Sequence, residues 1–437
     1  MNKIKFIDLF AGIGGTRIGF ENACKKMGLS SECVFTSEIK PYAVKVYKNN
    51  FNESEISGDI TKIQSNEIPD FDYLLAGFPC QPFSFAGSRK GFVDTRGTLF
   101  FEIERIIKEK SPKGFLLENV EGLISHDKKN KSDSIGNTLS VIIESLEKIG
   151  YKVTWQLINS GEYGIAQNRK RVYIVGRKDK KISLKNFSTG KKTLGEILEK
   201  NKPIINSEFT SKLLSTFSLD ELKGKSIKDK RGGSNNIHSW DIGLKGDITL
   251  EQRELLMMLL KERRKKYWAI KKGITWMDGM PLTVEEISTF YNPINIFGSI
   301  DLEFILNDLV KKRYLKYEHP KDISISTDKY GNKITSRKYR KDLEKGYNIV
   351  TGKLSFEINK ILHPDEVTPT LVATDVTRLA VIDNKGIRRL TIKEGLRLFG
   401  FPDKFKLDVS YEKAFDLLGN TVVVPIIEMI TERLLSN

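Results

Sequence analysis

Tyr73-Leu74-Leu75-Ala76-Gly77-Phe78-Pro79-Cys80-Gln81-Pro82-Phe83-Ser84 decides how this chain is read. Its first four residues are an apolar run that reads as a buried strand, and the run ends in a glycine, then Phe78, a proline and a cysteine. A side chain at the carboxyl end of such a strand sits where open α/β sheets bind ligands. The proline fixes the approach of the backbone. The Gly/Ser-rich stretch beyond it reads as a loop rather than a helix. Cys80 would then stand as a nucleophile at the rim of a pocket. A single thiol is more often a small buried hydrophobe, so its surroundings must carry the case.

Either side of this stretch, residues 4–178 alternate short apolar runs with helical patterns, the signature of a mostly parallel sheet with helices on both faces. Strands are expected at Ile4–Phe10, Cys33–Ile39, Tyr73–Phe78, Gly114–Val120, Tyr151–Ile158 and Val172–Gly176. Helices are expected at Thr16–Met27, Tyr42–Asn49, Leu99–Lys108 and Thr138–Ile149.

The turn Phe10-Ala11-Gly12-Ile13-Gly14-Gly15 joins the first strand to the first helix. Glycines there admit a ligand close to the backbone, beside free N–H groups at the helix start. Such a turn suits NAD, a flavin or S-adenosylmethionine equally. Glu38 ends the second strand, where a carboxylate can bind ribose hydroxyls. Gly58-Asp59-Ile60 follows what reads as a further strand end, placed to meet an adenine amino group. Together these favour an adenosine-bearing cofactor. Glu118 closes the Gly114 strand beside Cys80 and can supply a proton. Arg169 and Arg171, two apart on an extended segment, share a face and can enter one site.

Composition bounds the rest. The 437 residues hold 72 Lys and Arg against 56 Asp and Glu, a net charge of +16 that suits a polyanion such as nucleic acid. The three cysteines, Cys24, Cys33 and Cys80, are too few and scattered for a disulfide framework or a zinc site. No metal site and no membrane-spanning run are expected, and the start of the chain does not read as a signal peptide. From about Lys178 basic clusters thicken: Lys261-Glu262-Arg263-Arg264-Lys265-Lys266, Lys311-Lys312-Arg313 and Arg337-Lys338-Tyr339-Arg340-Lys341, with Tyr267, Trp268, Tyr314 and Tyr317 between them. One such run is usually a solvated helix face. Three in one region suggest contact with DNA, with Lys265 and Lys266 as candidate phosphate ligands. Thr249 with Gln252, Thr283 with Glu286 and Thr391 with Glu394 have capping-box spacing. Residues 282–320 could form a winged-helix-like element.

The chain resembles the C5-cytosine DNA methyltransferases that partner bacterial restriction enzymes. The resemblance rests on Asp8–Gly15, Gly77–Ser84, Glu118-Asn119-Val120, Gln167-Asn168-Arg169-Lys170-Arg171, Arg389-Leu390-Thr391 to Gly400-Phe401-Pro402, and Gly419-Asn420-Thr421-Val422, all in the family's order. It implies an α/β, Rossmann-like fold of the S-adenosylmethionine-dependent methyltransferases plus a smaller mixed target-recognition domain. Residues 1–179 would form the catalytic and cofactor domain, 180–387 the recognition domain, and 388–437 a segment returning to the first. It implies methyl transfer from S-adenosylmethionine to C5 of a cytosine flipped out of duplex DNA. Cys80 matches the nucleophile, Glu118 the contact to N3, and Arg169 and Arg171 the residues that hold the base and the active-site loop. Phe10 matches the ring that stacks on adenine. Ala11, Gly12, Gly14, Gly15, Glu38, Ile39, Asp59, Ile60, Gly77, Pro79, Asn420 and Thr421 fall in the cofactor-binding segments. Gln81, Ser84, Ser88, Arg89 and Arg96 lie in the segment that would close on DNA. A monomer is implied, in the bacterial cytoplasm at the nucleoid, paired in function with a cognate restriction endonuclease. Thr421 departs from the Ala or Ser common at its position.

Other readings fit less well. A tRNA-directed cytosine-5 methyltransferase would keep the basic insert short. An inactive DNA-binding regulator gains no support, because Cys80, Glu118, Arg169 and Arg171 are all present. A dehydrogenase fails on the Pro-Cys motif, and amino-methylating DNA enzymes need an Asp/Ser/Asn-Pro-Pro-Tyr/Phe motif that is absent here.

Overall fold

The computed structural model describes residues 3–79, 99–128, 130, 132–275, 279–292, 294–295, 298–299, 301–327, 333–351, 356–373 and 376–436. They form two compact units. The first holds Met1–Lys200, His363–Thr377 and Leu390–Asn437, and the second holds Asn201–Leu362 and Arg378–Arg389.

The first unit is built on a six-stranded sheet. Its strands are β1 (Ile4–Leu9), β2 (Ser31–Ser37), β3 (Tyr73–Gly77), β4 (Gly114–Val120), β5 (Lys152–Asn159) and β6 (Lys170–Arg177), in the order β2-β1-β3-β4-β6-β5. β1 to β4 run parallel, and β6 runs antiparallel to both β4 and β5. Four helices intervene: α1 (Gly15–Lys26), α2 (Pro41–Phe51), α3 (Leu99–Lys110) and α4 (Asn137–Lys148). Ile7, Leu74 and Phe115 pack in one core with Ile103 and Ile106 of α3 and Leu139 and Ile142 of α4. On the opposite face, Phe20 of α1 meets the rings of Phe6 and Tyr73 at 4.6 and 5.8 Å. Alternate residues of each strand therefore serve opposite layers. The helix Val424–Leu435 lies so close to α1 that a Cβ on Gly19 would stand 2.6 Å from Ile427 Cβ.

Two expectations are corrected. No named strand precedes Gly58: the chain makes a single parallel bridge, Ser57 to Ser37, closed by Ser57 N to Thr36 O and Glu38 N to Ser57 O. Tyr411–Leu435 does have the length and apolarity of a membrane span. It folds instead as two helices, Tyr411–Gly419 and Val424–Leu435, whose Phe415, Leu418, Ile427 and Ile430 are fully buried.

Beneath the glycine turn, Asp8 is fully buried and accepts from Thr16 Oγ1 at 2.6 Å and from Tyr47 OH at 3.4 Å. Burial pushes its carboxyl up to about 7, although Thr16 and Arg17 oppose the shift. A folded value above the unfolded one means the native state holds a proton that the unfolded chain releases. The resulting stabilisation is fully present below about pH 4 and is lost as pH rises through about 7. Asp8→Asn keeps an acceptor for Thr16 and has no proton to lose. Its apparent Tm should therefore fall less between pH 6 and 8 than that of the wild type. Equal pH slopes would exclude Asp8 as the source.

The second unit has two cores. One gathers Leu255, Leu256 and Leu259 of the helix Leu250–Glu262 with Leu306 and Leu309 of the helix Leu302–Lys311. The other lies on a five-stranded sheet made from 226–227, 236–237, 360–361, 379–383 and 386–389. The capping boxes at Thr249 and Thr283 both form. Within 282–320 lie the helices Val284–Ser288 and Leu302–Lys311 and the strand Leu315–Glu318, which pairs antiparallel with Gly346–Ile349.

Candidate active site

The strand order turns back between β1 and β3, and the crevice beyond the carboxyl ends there is where such sheets take ligands. A cavity of about 390 Å³ occupies it. Phe10, Gly12, Glu38, Ile39, Asp59, Ile60, Gly77, Pro79, Glu118, Arg169, Arg171, Asn420 and Thr421 all line this cavity. β6 runs against its neighbours, so its amino end brings Arg169 and Arg171 to the edge where β3 and β4 end.

Ala11, Gly14 and Gly15 lie behind the wall. Gly14 N donates to Ala11 O at 2.8 Å, and the left-handed Gly14 (φ +83°) caps α1. A Cβ on Gly15 would stand 2.9 Å from Val422 Cγ2, so this glycine admits the C-terminal segment. Lys265 and Lys266 belong to the second unit, at the start of the helix Lys266–Lys271, and both are exposed. Lys265 pairs with Glu262 at 2.6 Å, which offsets part of its charge. Cys80, Gln81, Ser84, Ser88, Arg89 and Arg96 lie outside the described residues.

One end of the cavity is walled by the glycine turn, Glu38 and Asp59. Phe10 and Gly12 both hold left-handed backbone, with φ +54° and +56°. For Phe10 that conformation costs energy, which the surrounding fold must offset. Glu38 ties the turn down: Oε2 accepts from Gly12 N at 2.7 Å, and Oε1 accepts from Ile39 N and Lys40 N, both at 2.8 Å. Asp59 Oδ1 accepts from Thr61 N and Oγ1 at 3.1 and 2.8 Å, which fixes the turn that carries Ile60. Sequence reasoning missed a clasp at the rim. Asp416 accepts from Lys40 Nζ at 3.0 Å, Tyr42 OH at 2.5 Å and Asn420 Nδ2 at 3.2 Å. It holds the start of α2 against the end of Tyr411–Gly419, and no motif marks it.

The other end is acidic and basic at once. In the register of β4 with β6, Glu118 lies opposite Tyr173 and diagonal to Arg171. Arg171 Nε donates to Glu118 Oε1 at 3.0 Å, and Glu118 is 9% exposed. Burial pushes the Glu118 carboxyl above its usual range, while Arg171 and Arg169 pull it back. Arg169 donates to the carbonyls of Leu371, Gly419 and Thr421 at 3.1, 3.0 and 2.8 Å, and lies 5.2 Å from the centroid of the Phe399 ring. Burial, aided by Arg171, brings its guanidinium down to about 10. Arg169 therefore braces the C-terminal wall, and Arg171 is the arginine that meets Glu118.

Two amides brace the site: Asn119, which lines the cavity, and Gln167, which lies behind it. Asn119 Nδ2 donates to Phe78 O at 3.0 Å, and its Oδ1 accepts from Val120 N at 2.8 Å. Asn119 thus locks the peptide just ahead of Pro79. Gln167 Nε2 donates to Leu398 O at 2.9 Å, and Oε1 accepts from Leu371 N at 3.0 Å. Both stand beside residues that were singled out, which was the available signal. Burial pushes the thiols of Cys24 and Cys33 up to about 11, so neither is a competent nucleophile near neutral pH.

Comparison with known proteins identifies the family. Residues 4–436 match the C-5 cytosine-specific DNA methylase family. Type II methyltransferase M.NlaIV of Neisseria lactamica is 56% identical over 436 residues, covering 100% of this chain and 99% of its own. Type II methyltransferase M.BanI of Aneurinibacillus aneurinilyticus is 42% identical over 461 aligned positions, covering 100% and 96%. A crystal structure described as a DNA modification methyltransferase encoded within a prophage (E. coli) shares the fold, with a TM-score of 0.52 and 20% identity across 99% of this chain and 98% of that one. The chain belongs to the C-5 cytosine-specific DNA methylases and is a DNA (cytosine-5-)-methyltransferase that uses S-adenosylmethionine.

Proposed function

We propose that methyl transfer takes place in the cavity at the β1/β3 edge, with Cys80 as nucleophile and Glu118 as acid. Phe10, Ile39 and Ile60 would hold the adenine, and Glu38 and Asp59 would hold the ribose and the amino group. S-adenosylmethionine supplies an electrophilic methyl group there. Cytosine C5 is too poor a nucleophile to take that methyl unaided. Addition of the Cys80 thiolate across C5–C6 forms an S–C6 bond and pushes the electron pair toward C5 and N3. Glu118, whose carboxyl burial pushes above its usual range, would donate to N3 as that charge builds. After transfer, which leaves S-adenosylhomocysteine, N3 would return its proton to Glu118, the C5 proton would pass to water, and its electron pair would re-form the C5–C6 double bond as the Cys80 thiolate departs. Arg171 orients Glu118, and Asn119 fixes the peptide that leads into Pro79 and Cys80. The observation that carries this reading is the Glu118–Arg171 pair in the same cavity as Phe10, Glu38 and Asp59. Bisulfite sequencing of DNA from cells expressing the protein tests it and reports the target as well.

The second unit, on this reading, chooses the DNA sequence. Its exposed lysines suit phosphates, and Phe10, Glu38, Asp59, Glu118, Arg169 and Arg171 all lie outside it. Replacing Asn201–Leu362 with the matching segment of a relative should transfer that relative's target while methylation persists. An active chimera that keeps the original target would place recognition elsewhere. We further read the enzyme as a monomer in the bacterial cytoplasm, at the nucleoid, protecting DNA from a cognate endonuclease. The Type II methyltransferase relatives support the restriction–modification role alone. Resistance of plasmid from expressing cells to that endonuclease is the test.

A further inference from the structure

The strands Lys321–Thr327 and Lys333–Tyr339 form a two-stranded sheet of their own, paired from Lys321 opposite Tyr339 to Thr327 opposite Lys333. The register places Lys321, Ile323, Ile325, Thr335, Arg337 and Tyr339 on one face. Lys321 Nζ lies 4.4 Å from the centroid of the Tyr339 ring, as that register requires. Ile325 is 67% exposed, Tyr339 48% and Ile323 39%. The base of the ribbon is held firmly. Asp322 Oδ1 accepts from Thr275 N and Oγ1 at 3.1 and 2.6 Å, and Arg340 N donates to Pro320 O at 2.8 Å.

A lone ribbon is marginal in water, and its open edges invite pairing. Apolar, β-branched side chains displayed on one have a use only if something covers them. Charge selects what does. The face carries Lys321 and Arg337 beside its isoleucines, and Lys338 lies on the reverse. The helix Leu302–Lys311 of the same unit carries Glu303 and Asp308 against Lys311, so it matches a polyanion less well. A two-stranded ribbon fits the major groove of DNA, where thymine methyl groups meet apolar side chains and arginine reads guanine.

We propose that the Ile323/Ile325 face of this ribbon enters a DNA groove and makes base-edge contacts that set sequence preference. The proposal rests on the second unit being the part that chooses the sequence.

The test uses the full-length enzyme with Ile323→Ser and Ile325→Ser combined. Exposed sites of this kind tolerate such changes, so thermal unfolding and S-adenosylmethionine affinity should match the wild type. On plasmid DNA, kcat/KM should fall at least about tenfold, the scale of one lost base-pair contact. Bisulfite reads should show methylation spreading to related sites. Lys338→Gln should instead weaken all sequences alike and reduce the salt slope by about one. A double variant with unchanged kcat/KM and unchanged sites overturns the proposal. So does one whose sedimentation changes while its sites do not, because the ribbon would then pack on a second copy. The Asn201–Leu362 chimera separates the two levels. If it transfers the target while the double variant is neutral, only the ribbon assignment fails. If it leaves the target unmoved, the recognition reading fails with it.

Discussion

Cys80→Ser should lower methyl transfer by about 10⁴-fold or more, the scale on which loss of a catalytic nucleophile is felt, with S-adenosylmethionine affinity within a few-fold of wild type. A serine hydroxyl is scarcely ionised at neutral pH, so addition to C6 fails even when the base is in place. The end of the cavity proposed to take the cofactor is lined by Phe10, Glu38, Asp59 and Ile60, and the substitution leaves all of them intact. Duplex with 5-fluorocytosine at the target gives the sharper readout. With fluorine at C5 there is no proton to remove after methylation, so the thioether to C6 cannot be released. Wild type should be trapped as an adduct stable to denaturant, and Cys80→Ser should not. Equal trapping by both would send the search to another nucleophile. Cys24 and Cys33 are poor alternatives, since burial keeps both as thiols.

What the sequence disclosed was whatever local chemistry determines. The glycine turn and the capping boxes at Thr249, Thr283 and Thr391 all depend on residues within a few positions of one another. The apolar runs of β1, β3 and β4 were legible because strands buried on both faces have few residues to choose from. Direction was not legible. Nothing in Val172–Gly176 states that β6 runs against β4, yet that reversal brings Arg171 to Glu118. The return of His363–Thr377 to the first unit was equally hidden. It depends on single bonds such as Leu371 N to Gln167 Oε1, made across 204 positions of chain. Asn119 was passed over for a related reason, because an amide beside a catalytic carboxylate shows its role only when its partner, the Phe78 carbonyl, is in view. In the second unit, three of the five strands of the sheet are two-residue pieces too short to leave a pattern.

Glu118→Gln should lower the single-turnover rate by at least ~10²-fold, the usual scale for a lost acid–base partner, with DNA and cofactor affinity little changed. The amide keeps the size of the side chain and an oxygen that can still accept from Arg171 Nε, so the wall should stand. Only the transferable proton is lost. The pH dependence then identifies the group. Burial raises the Glu118 carboxyl, so its protonated form persists to higher pH than an ordinary carboxylate allows. The wild-type rate should therefore decline on the alkaline side as Glu118 ionises. Glu118→Gln should be slow throughout and lack that alkaline decline. Arg171→Ala gives a second check with a definite sign. Arg171 pulls the carboxyl down across 3.0 Å, so removing its charge should move the alkaline limb to higher pH even as it costs rate through lost positioning. A Gln variant with near wild-type single-turnover rate, or an Arg171→Ala limb that moves to lower pH, would take Glu118 out of the proton's path.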